Sequence, residues 1–430
     1  MFGMKNNGKR NIAIMGLGTV GGGAYDIISR NGDYIKRTQG LDIAVKRILD
    51  RTDAPLRARS IDPSLYCGSV DELAADKDIE VVIETMGGVE PAKTFITKML
   101  ESGKSVVTAN KELLAKSWHE LEPVAKAHGC GLFFEASCVG GVPIIRALGE
   151  SFQGDKVQSI YGIINGTTNY ILSKMSSESL GYAEALSSAQ SLGYAEADPT
   201  SDVEGYDAAY KLSILGSLAF HTCLPYGSIY REGITKITAA DIKNAHDLGY
   251  EIKLLAIGKR DGNNIEARVH PAFVPKNHPL ASVSGAYNAV YLNGDHVGDL
   301  MFYGAGAGAH PTGSAIVSDV IKALTDKPRY CDFRNTGKLD GSVSLVGDFV
   351  SGYYLCVTVD DKTGVLSRIS TVLSDNGVSI KAASQIPSDG DAATVMFLTH
   401  RAREHAVMQS LEAIGKLASV RSVDSVIRVL

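Results

Sequence analysis

Several things are scarce in this chain of 430 residues, and each scarcity removes a class of function. There are six cysteines (Cys67, Cys130, Cys138, Cys223, Cys331, Cys356), widely spread and without C-x-x-C spacing, which argues against a zinc ribbon or a dithiol redox pair. The ten histidines show no H-x-x-H or H-E-x-x-H spacing for catalytic zinc. No run approaches the roughly 18 apolar residues that span a bilayer. The opening MFGMKNNGKRNIAIMG has no apolar core followed by a small-residue cleavage site, so no secretory signal is expected. Basic residues form no tract and the net charge is −5, so neither nucleic acid nor a membrane surface is an expected partner. A reduced, cytoplasmic location follows. What is there is ordinary: 44% hydrophobic and 21% charged residues can bury substantial cores, and the length fits two or three domains.

The order of elements is more informative. A short apolar run, 11–15, leads into Gly16-Leu17-Gly18-Thr19-Val20-Gly21, then a helix over 20–37 and a strand over 43–49. Further strands are expected at 80–85, 105–108 and 131–135, with helices at 69–75, 91–102 and 112–127 between them. Strands alternating with helices predict an α/β, doubly wound parallel sheet. The pattern then changes to an α+β region: a strand at 159–164, helices at 169–175, 182–192 and 205–220, and strands at 252–258, 265–273 and 289–292. The turn Gly304-Ala305-Gly306-Ala307-Gly308 precedes a last helix near 311–325. From 353 the order strand, helix, strand, strand, helix, strand is the ferredoxin-like βαββαβ topology. The expected division is 1–135 (completed by helix 311–325), 136–310, a connector at 326–351, and 352–430.

The first glycine turn has the context that a dinucleotide fingerprint requires. Gly16 permits the tight turn, Gly18 lets backbone amides approach a pyrophosphate, and Gly21 lets helix and strand pack closely. The second strand ends Leu49-Asp50-Arg51; an acidic residue there suits the 2′-hydroxyl of NAD and an arginine the 2′-phosphate of NADP, so both remain open. Lys111 follows Thr108-Ala109-Asn110 at the strand edge where ligands bind in open α/β sheets. Cys138, in EASCVGGVP, has no histidine near it in sequence to act as base and reads as a small core residue. His310 ends the second glycine turn.

The segment LGYAEADPTSDVEGYDAAYKL (192–212) carries five carboxylates, Glu196, Asp198, Asp202, Glu204 and Asp207, before a single lysine, Lys211, on an otherwise apolar run. Ser201 and Glu204 read as a capping box, and a helix begun there places Glu204, Asp207 and Lys211 on one face. Such a cation is expensive to bury unless it binds or reacts with something polar, yet an Asp207–Lys211 surface pair is common and worth little. Spacing alone leaves both readings standing.

These motifs resemble those of the homoserine dehydrogenase family. The matching segments are GLGTVGGG (16–23), TANKELLA (108–115), FEASCVGGVPII (134–145), NGTTNYIL (165–172), the AEADPTSDVEGYDAAYK segment and YGAGAGAHPTGSAIVSD (303–319). The resemblance implies reversible reduction of L-aspartate 4-semialdehyde to L-homoserine with NADP or NAD. It implies Lys211 as proton donor, Lys111 beside cofactor and substrate, and Glu196 and Asp207 as holders of the substrate ammonium. Leu17, Thr19 and Val20 fall in the pyrophosphate turn, Arg51 at the 2′-phosphate, and Gly193 and Gly308 at further cofactor contacts. A sodium ion held by backbone carbonyls of Glu135, Cys138, Gly140 and Val142 is implied too. Asp198, Asp202 and Glu204 are set aside. An aspartate-semialdehyde dehydrogenase would instead need a cysteine nucleophile. The C-terminal unit, with Asp360-Asp361-Lys362-Thr363-Gly364-Val365, resembles an ACT domain, which implies feedback by threonine and a homodimer or homotetramer.

Overall fold

The computed structural model describes residues 8–387 and 390–430. Strands β1 (Arg10–Met15), β2 (Ile43–Leu49), β3 (Tyr66–Cys67), β4 (Ile79–Glu84), β5 (Ser105–Thr108) and β6 (Leu132–Phe133) form one sheet in the order β3-β2-β1-β4-β5-β6. Every pairing in it is parallel. Strands covered on both faces must be apolar nearly throughout, and Ile12 to Met15 are fully buried. Helices α1 (Thr19–Gln39), α2 (Ala54–Ala58), α3 (Val70–Ala75), α4 (Ala92–Glu101) and α5 (Lys111–Ala127) make the crossovers. The strand order reverses between β1 and β4, which puts the ligand crevice at their C-terminal ends, where the first glycine turn lies.

The chain then passes through α6 (Ile144–Arg146), β7 (Val157–Ile163), α7 (Gly166–Glu178), α8 (Tyr182–Ser191), α9 (Thr200–Val203), α10 (Tyr206–Phe220), β8 (Tyr230–Arg231) and α11 (Ala239–Asp247). Long antiparallel strands follow: β9 (Tyr250–Asp261), β10 (Asn264–Pro275), β11 (Tyr287–Gly294) and β12 (Gly298–Ala305). Buried residues of α7, α10 and α11 pack on this second sheet, with Leu212, Ile171 and Ile242 in one apolar cluster with Ile160 and Leu254. Helix α12 (Ala309–Thr325) returns to the first sheet and lies on α1, with Ile316 and Val320 in the core beneath β1. The strand β12 was hidden from pattern reading. Its sequence, GDLMFYGA, is flanked by glycines, and its strand form comes from pairing with β11 rather than from its own periodicity.

The C-terminal part contains β13 (Ser344–Leu345), β14 (Val350–Asp360), α13 (Val365–Asp375), β15 (Ile380–Pro387), β16 (Ala392–Thr399), β17 (Ala402–Arg403), α14 (Glu404–Gly415) and β18 (Val420–Val429). Its sheet runs β18-β14-β16-β15, antiparallel, with α13 and α14 packed through Ile369, Leu373, Val407 and Leu411 onto Leu355, Val357 and Phe397. This is the expected βαββαβ unit. Unexpectedly, its sheet does not stand apart: β18 pairs with β10 in parallel, Ala272 opposite Arg428 and Phe273 opposite Val429. One sheet thus runs from β12 to β15. Among the described residues no helix is long and apolar enough to cross a membrane.

Candidate active site

The expectation for 192–212 needs one correction. No capping box forms and no single helix begins at Ser201. Helix α9 is one turn, Glu204 closes it, and Gly205 breaks the path at φ 78° before α10 starts at Tyr206. That left-handed angle is what a glycine supplies at no steric cost. The break turns Glu204 away from Asp207 and Lys211: its carboxylate accepts from Thr235 Oγ1 at 2.9 Å. It also folds Asp202 back beside Asp207, and Asn165 Nδ2 donates to both, at 2.7 and 2.8 Å.

Asp207 and Lys211 do share a face of α10, at i and i+4. Lys211 Nζ lies 2.7 Å from Asp207 Oδ2 and donates to the Ile164 carbonyl at 2.7 Å. Both side chains are buried, 10% and 4% exposed. The other oxygen of Asp207 faces Lys111 Nζ at 3.1 Å. Lys111 is the first residue of α5, on the nucleotide-type domain, with its side chain 43% exposed. One carboxylate is therefore clamped between ammonium groups from two domains. Burial by itself would raise the Asp207 pKa, but the charges of Lys211 and Lys111 outweigh it and hold the carboxyl well below its usual range. The same Asp207 charge raises the Lys111 pKa against burial. Asp202 shifts upward, first through burial and then through Asp207.

Lys111 is held in register by residues that pattern reading passed over. Glu84, fully buried at the end of β4, accepts from Thr108 Oγ1 at 2.5 Å and from the Met86 amide at 2.8 Å. Burial pushes its carboxyl upward. Asn110 Oδ1 then caps α5 by accepting from the Leu113 amide at 3.1 Å. Asn165 and Glu84 are thus positions that pattern reading does not single out, and Asp202, set aside on the sequence, lies beside Asp207. For Asp202 the readable signal was Gly205, since a helix broken between two carboxylates lets them converge.

The remaining candidates are scattered more widely. At the first turn, a Cβ on Gly21 would meet the Gly16 carbonyl oxygen at 2.1 Å, whereas Gly18 faces open space. Close packing on one side and room on the other is what a pyrophosphate cradle at the start of α1 needs. Leu17, Thr19 and Val20 complete this turn, and Asp50 Oδ2 accepts from the Leu17 amide at 2.8 Å. Arg51 is exposed beside it. Gly308 precedes α12, and Gly140 packs so near the second glycine turn that a Cβ would sit 2.5 Å from the Gly306 carbonyl oxygen. Cys138 is fully buried under α10, and burial pushes its thiol up to about 12, the opposite of an activated nucleophile. Glu196 and Gly193 are exposed, and no hydrogen bond or ion pair joins the Glu196 side chain to a described residue. His310 is also exposed.

A nucleotide turn on one domain, facing a lysine-clamped carboxylate on the next, is the arrangement of a dehydrogenase that works on a bound dinucleotide. Comparison with known proteins narrows the class. Residues 143–321 match the family model described as homoserine dehydrogenase, 16–135 its NAD-binding domain, and 353–416 the ACT domain. The chain is 41% identical over 427 residues to homoserine dehydrogenase of Neisseria gonorrhoeae, covering 97% of this chain and 98% of that one. It is 42% identical over 433 residues to that of Mycobacterium tuberculosis, with 97% of each covered. Among solved structures, a homoserine dehydrogenase from Thiobacillus denitrificans superposes with TM-score 0.91 at 37% identity over 98% of both chains. A hyperthermophilic archaeal homoserine dehydrogenase in complex with NADPH gives 0.65 at 30% identity, over 75% of this chain and all of that one. The chain belongs to the homoserine dehydrogenase family and carries a C-terminal ACT domain.

Proposed function

We propose that this enzyme reduces L-aspartate 4-semialdehyde to L-homoserine, reversibly, with Lys211 as proton donor. The observation that carries this reading is the Lys211–Asp207–Lys111 clamp joining two domains. A bound NADPH or NADH supplies the hydride. The chain's own residues do the rest. The turn Gly16, Leu17, Gly18, Thr19, Val20, Gly21 holds the pyrophosphate, aided by Gly193 and Gly308, and Arg51 receives a 2′-phosphate where one is present. Lys211 places a positive field and a proton beside the alkoxide oxygen that forms as the aldehyde is reduced. Lys111 adds a second positive charge on the cofactor side. Asp207 and Glu196 hold the substrate ammonium, and no described residue competes for the Glu196 side chain.

The carbonyls of Glu135, Cys138, Gly140 and Val142 are the proposed sodium ligands. Val142 already accepts from the Ile144 amide at 2.8 Å, but a carbonyl retains a second lone pair for a cation. For the ACT domain we favour threonine as inhibitor, bound near the 360–364 turn where two copies pair in a homodimer or homotetramer. The division 1–135 with 311–325, 136–310, 326–351 and 352–430 assigns cofactor, substrate, linkage and regulation in that order. Six free thiols favour a reducing cytoplasm. One assay tests most of this: homoserine-dependent reduction of NADP and of NAD, each with and without threonine. Absence of turnover with both nucleotides sinks the catalytic reading, and indifference to threonine sinks the regulatory one. Arg51→Ala is expected to raise KM for NADPH and leave that for NADH.

A further inference from the structure

We propose that Arg428, in the last strand of the ACT domain, is a positioning residue for the amino-acid site, acting through Glu232 on the turn between Asp202 and Asp207. It rests on the reading of Asp207 as a substrate ligand.

Strands β8 and β18 share one edge of β10. Tyr230 and Arg231 pair with Arg268 and Val269, while Arg428 and Val429 pair with Ala272 and Phe273. This brings the Arg428 guanidinium, 2% exposed, between carboxylates of two domains. Its Nη1 donates to Glu232 at 2.6 Å, Nη2 donates to Tyr230 OH at 2.9 Å, and Nε and Nη2 both reach Glu404. Tyr353 OH donates to Glu404 at 2.7 Å and fixes that side of the fork. A guanidinium with both edges engaged holds its partners in direction as well as distance.

Glu232 continues the line toward the site. Its amide donates to the Val269 carbonyl at 2.8 Å, and the residues around it grip 203–206. Arg231 Nη1 donates to the Glu204 carbonyl at 2.5 Å, and its guanidinium lies 3.4 Å over the Tyr206 ring. The Ile234 amide donates to the Val203 carbonyl at 2.8 Å, and Thr235 Oγ1 to the Glu204 carboxylate at 2.9 Å. A Cβ on Gly233 would stand 2.3 Å from the Val203 carbonyl oxygen, so the two backbones touch. The gripped residues lie between Asp202 and Asp207. A shift of that turn moves both carboxylates against Lys111, which stands on another domain, and a misplacement of about 1 Å can cost catalysis heavily.

The test compares full-length Glu232→Gln, Glu232→Asp and wild type in homoserine oxidation. Gln keeps the volume and removes the charge, while the Arg428–Glu404 pair stays in place, so the fold is preserved. Glu232→Gln is expected to raise KM for homoserine roughly 3- to 30-fold, with KM for the nucleotide and the melting temperature unchanged. Glu232→Asp restores most of that loss. An unchanged homoserine KM, or equal rises in both KM values, overturns the proposal. Asp207→Asn is the separate control: if it retains the wild-type homoserine KM, the reading of Asp207 itself falls.

Discussion

Two buried charge clusters of this chain are built from the same parts in opposite arrangement. Around Asp207, one carboxylate lies between two ammonium groups, Lys211 and Lys111, and one of those lysines is partly open to solvent. Around Arg428, one guanidinium lies between two carboxylates, Glu404 and Glu232, with hydroxyls completing the shell. The first cluster draws its positive charge from two domains, with Asp202 beside Asp207, and it is where we propose that the substrate binds. The second holds its guanidinium, 2% exposed, on both edges, and it lies where β18 joins β10. Burial alone does not separate a reactive site from a structural one. The sign of the group left open does: a cation, Lys111, at the first cluster and a carboxylate, Glu232, at the second, 43% and 38% exposed.

The largest expected effect is at the Asp207 cluster. Lys211→Met removes the proposed proton donor and should lower kcat about a thousandfold, within the range for general acids. Nucleotide affinity, read by fluorescence titration, should hold, because Lys211 lies on α10 and not at the glycine turn. Full activity in this variant would erase the distinction drawn between the clusters.

At the Arg428 cluster the larger effect falls on stability. Arg428→Met strands two carboxylates and is expected to cost about 3–5 kcal/mol, the usual range for breaking a buried pair, measured by urea unfolding. A smaller cost would show that Glu232, 38% exposed, is resolvated once the guanidinium is gone.

The third prediction uses His270, beside Arg428 and Arg268. Arg268 Nε donates to its Nε2 at 3.1 Å, and burial, then the two arginine charges, hold its pKa well below the usual 6.5. The folded protein keeps this ring neutral while the unfolded chain takes up a proton below about pH 6.5. Its contribution is therefore complete above that pH and is lost as the pH falls, by at most about 1.4 kcal/mol per unit. Glu135, pushed up to about 7 by burial and Asp319, acts with the opposite sign, losing stability as the pH rises toward 7. The comparison must therefore be wild type against His270→Gln at pH 5.5 and 7.5, where the variant should show the shallower loss in acid. The smallest effect belongs to Lys243–Asp247, also at i, i+4 but exposed on both sides. Asp247→Asn should leave the melting temperature unchanged, since exposed pairs are screened and flexible.

Much of the first domain was legible because its signals are local. A parallel sheet buried on both faces demands apolar runs, and a phosphate cradle demands glycines at fixed spacing, so β1, β4, the turn and α1 could be placed within a residue or two. The C-terminal βαββαβ order was legible for the same reason. The long segment 192–212 gave Asp207 and Lys211 correctly as helix neighbours but misplaced Glu204 and lost Asp202. A capping-box pattern competes with a glycine three-dimensionally, and here Gly205 prevailed because α10 must start in a new direction to bury Leu212 and Leu215. Local pattern does not pair Glu84 with Thr108 or Asn165 with Asp207, since those partners lie 24 and 42 residues away.

By itself, then, the sequence made most of the elements and their order along the chain legible and nominated the reactive groups, because periodicity, glycine placement and side-chain chemistry are properties of neighbours along the chain. Which charges meet was decided only in three dimensions. Lys111 reaches Asp207 across 96 residues and Arg428 reaches Glu232 across 196, distances that no local pattern spans. The joining of the ACT sheet to β10 belongs with these. An open strand edge accepts whatever backbone is brought to it, and the packing of whole domains decides what that is.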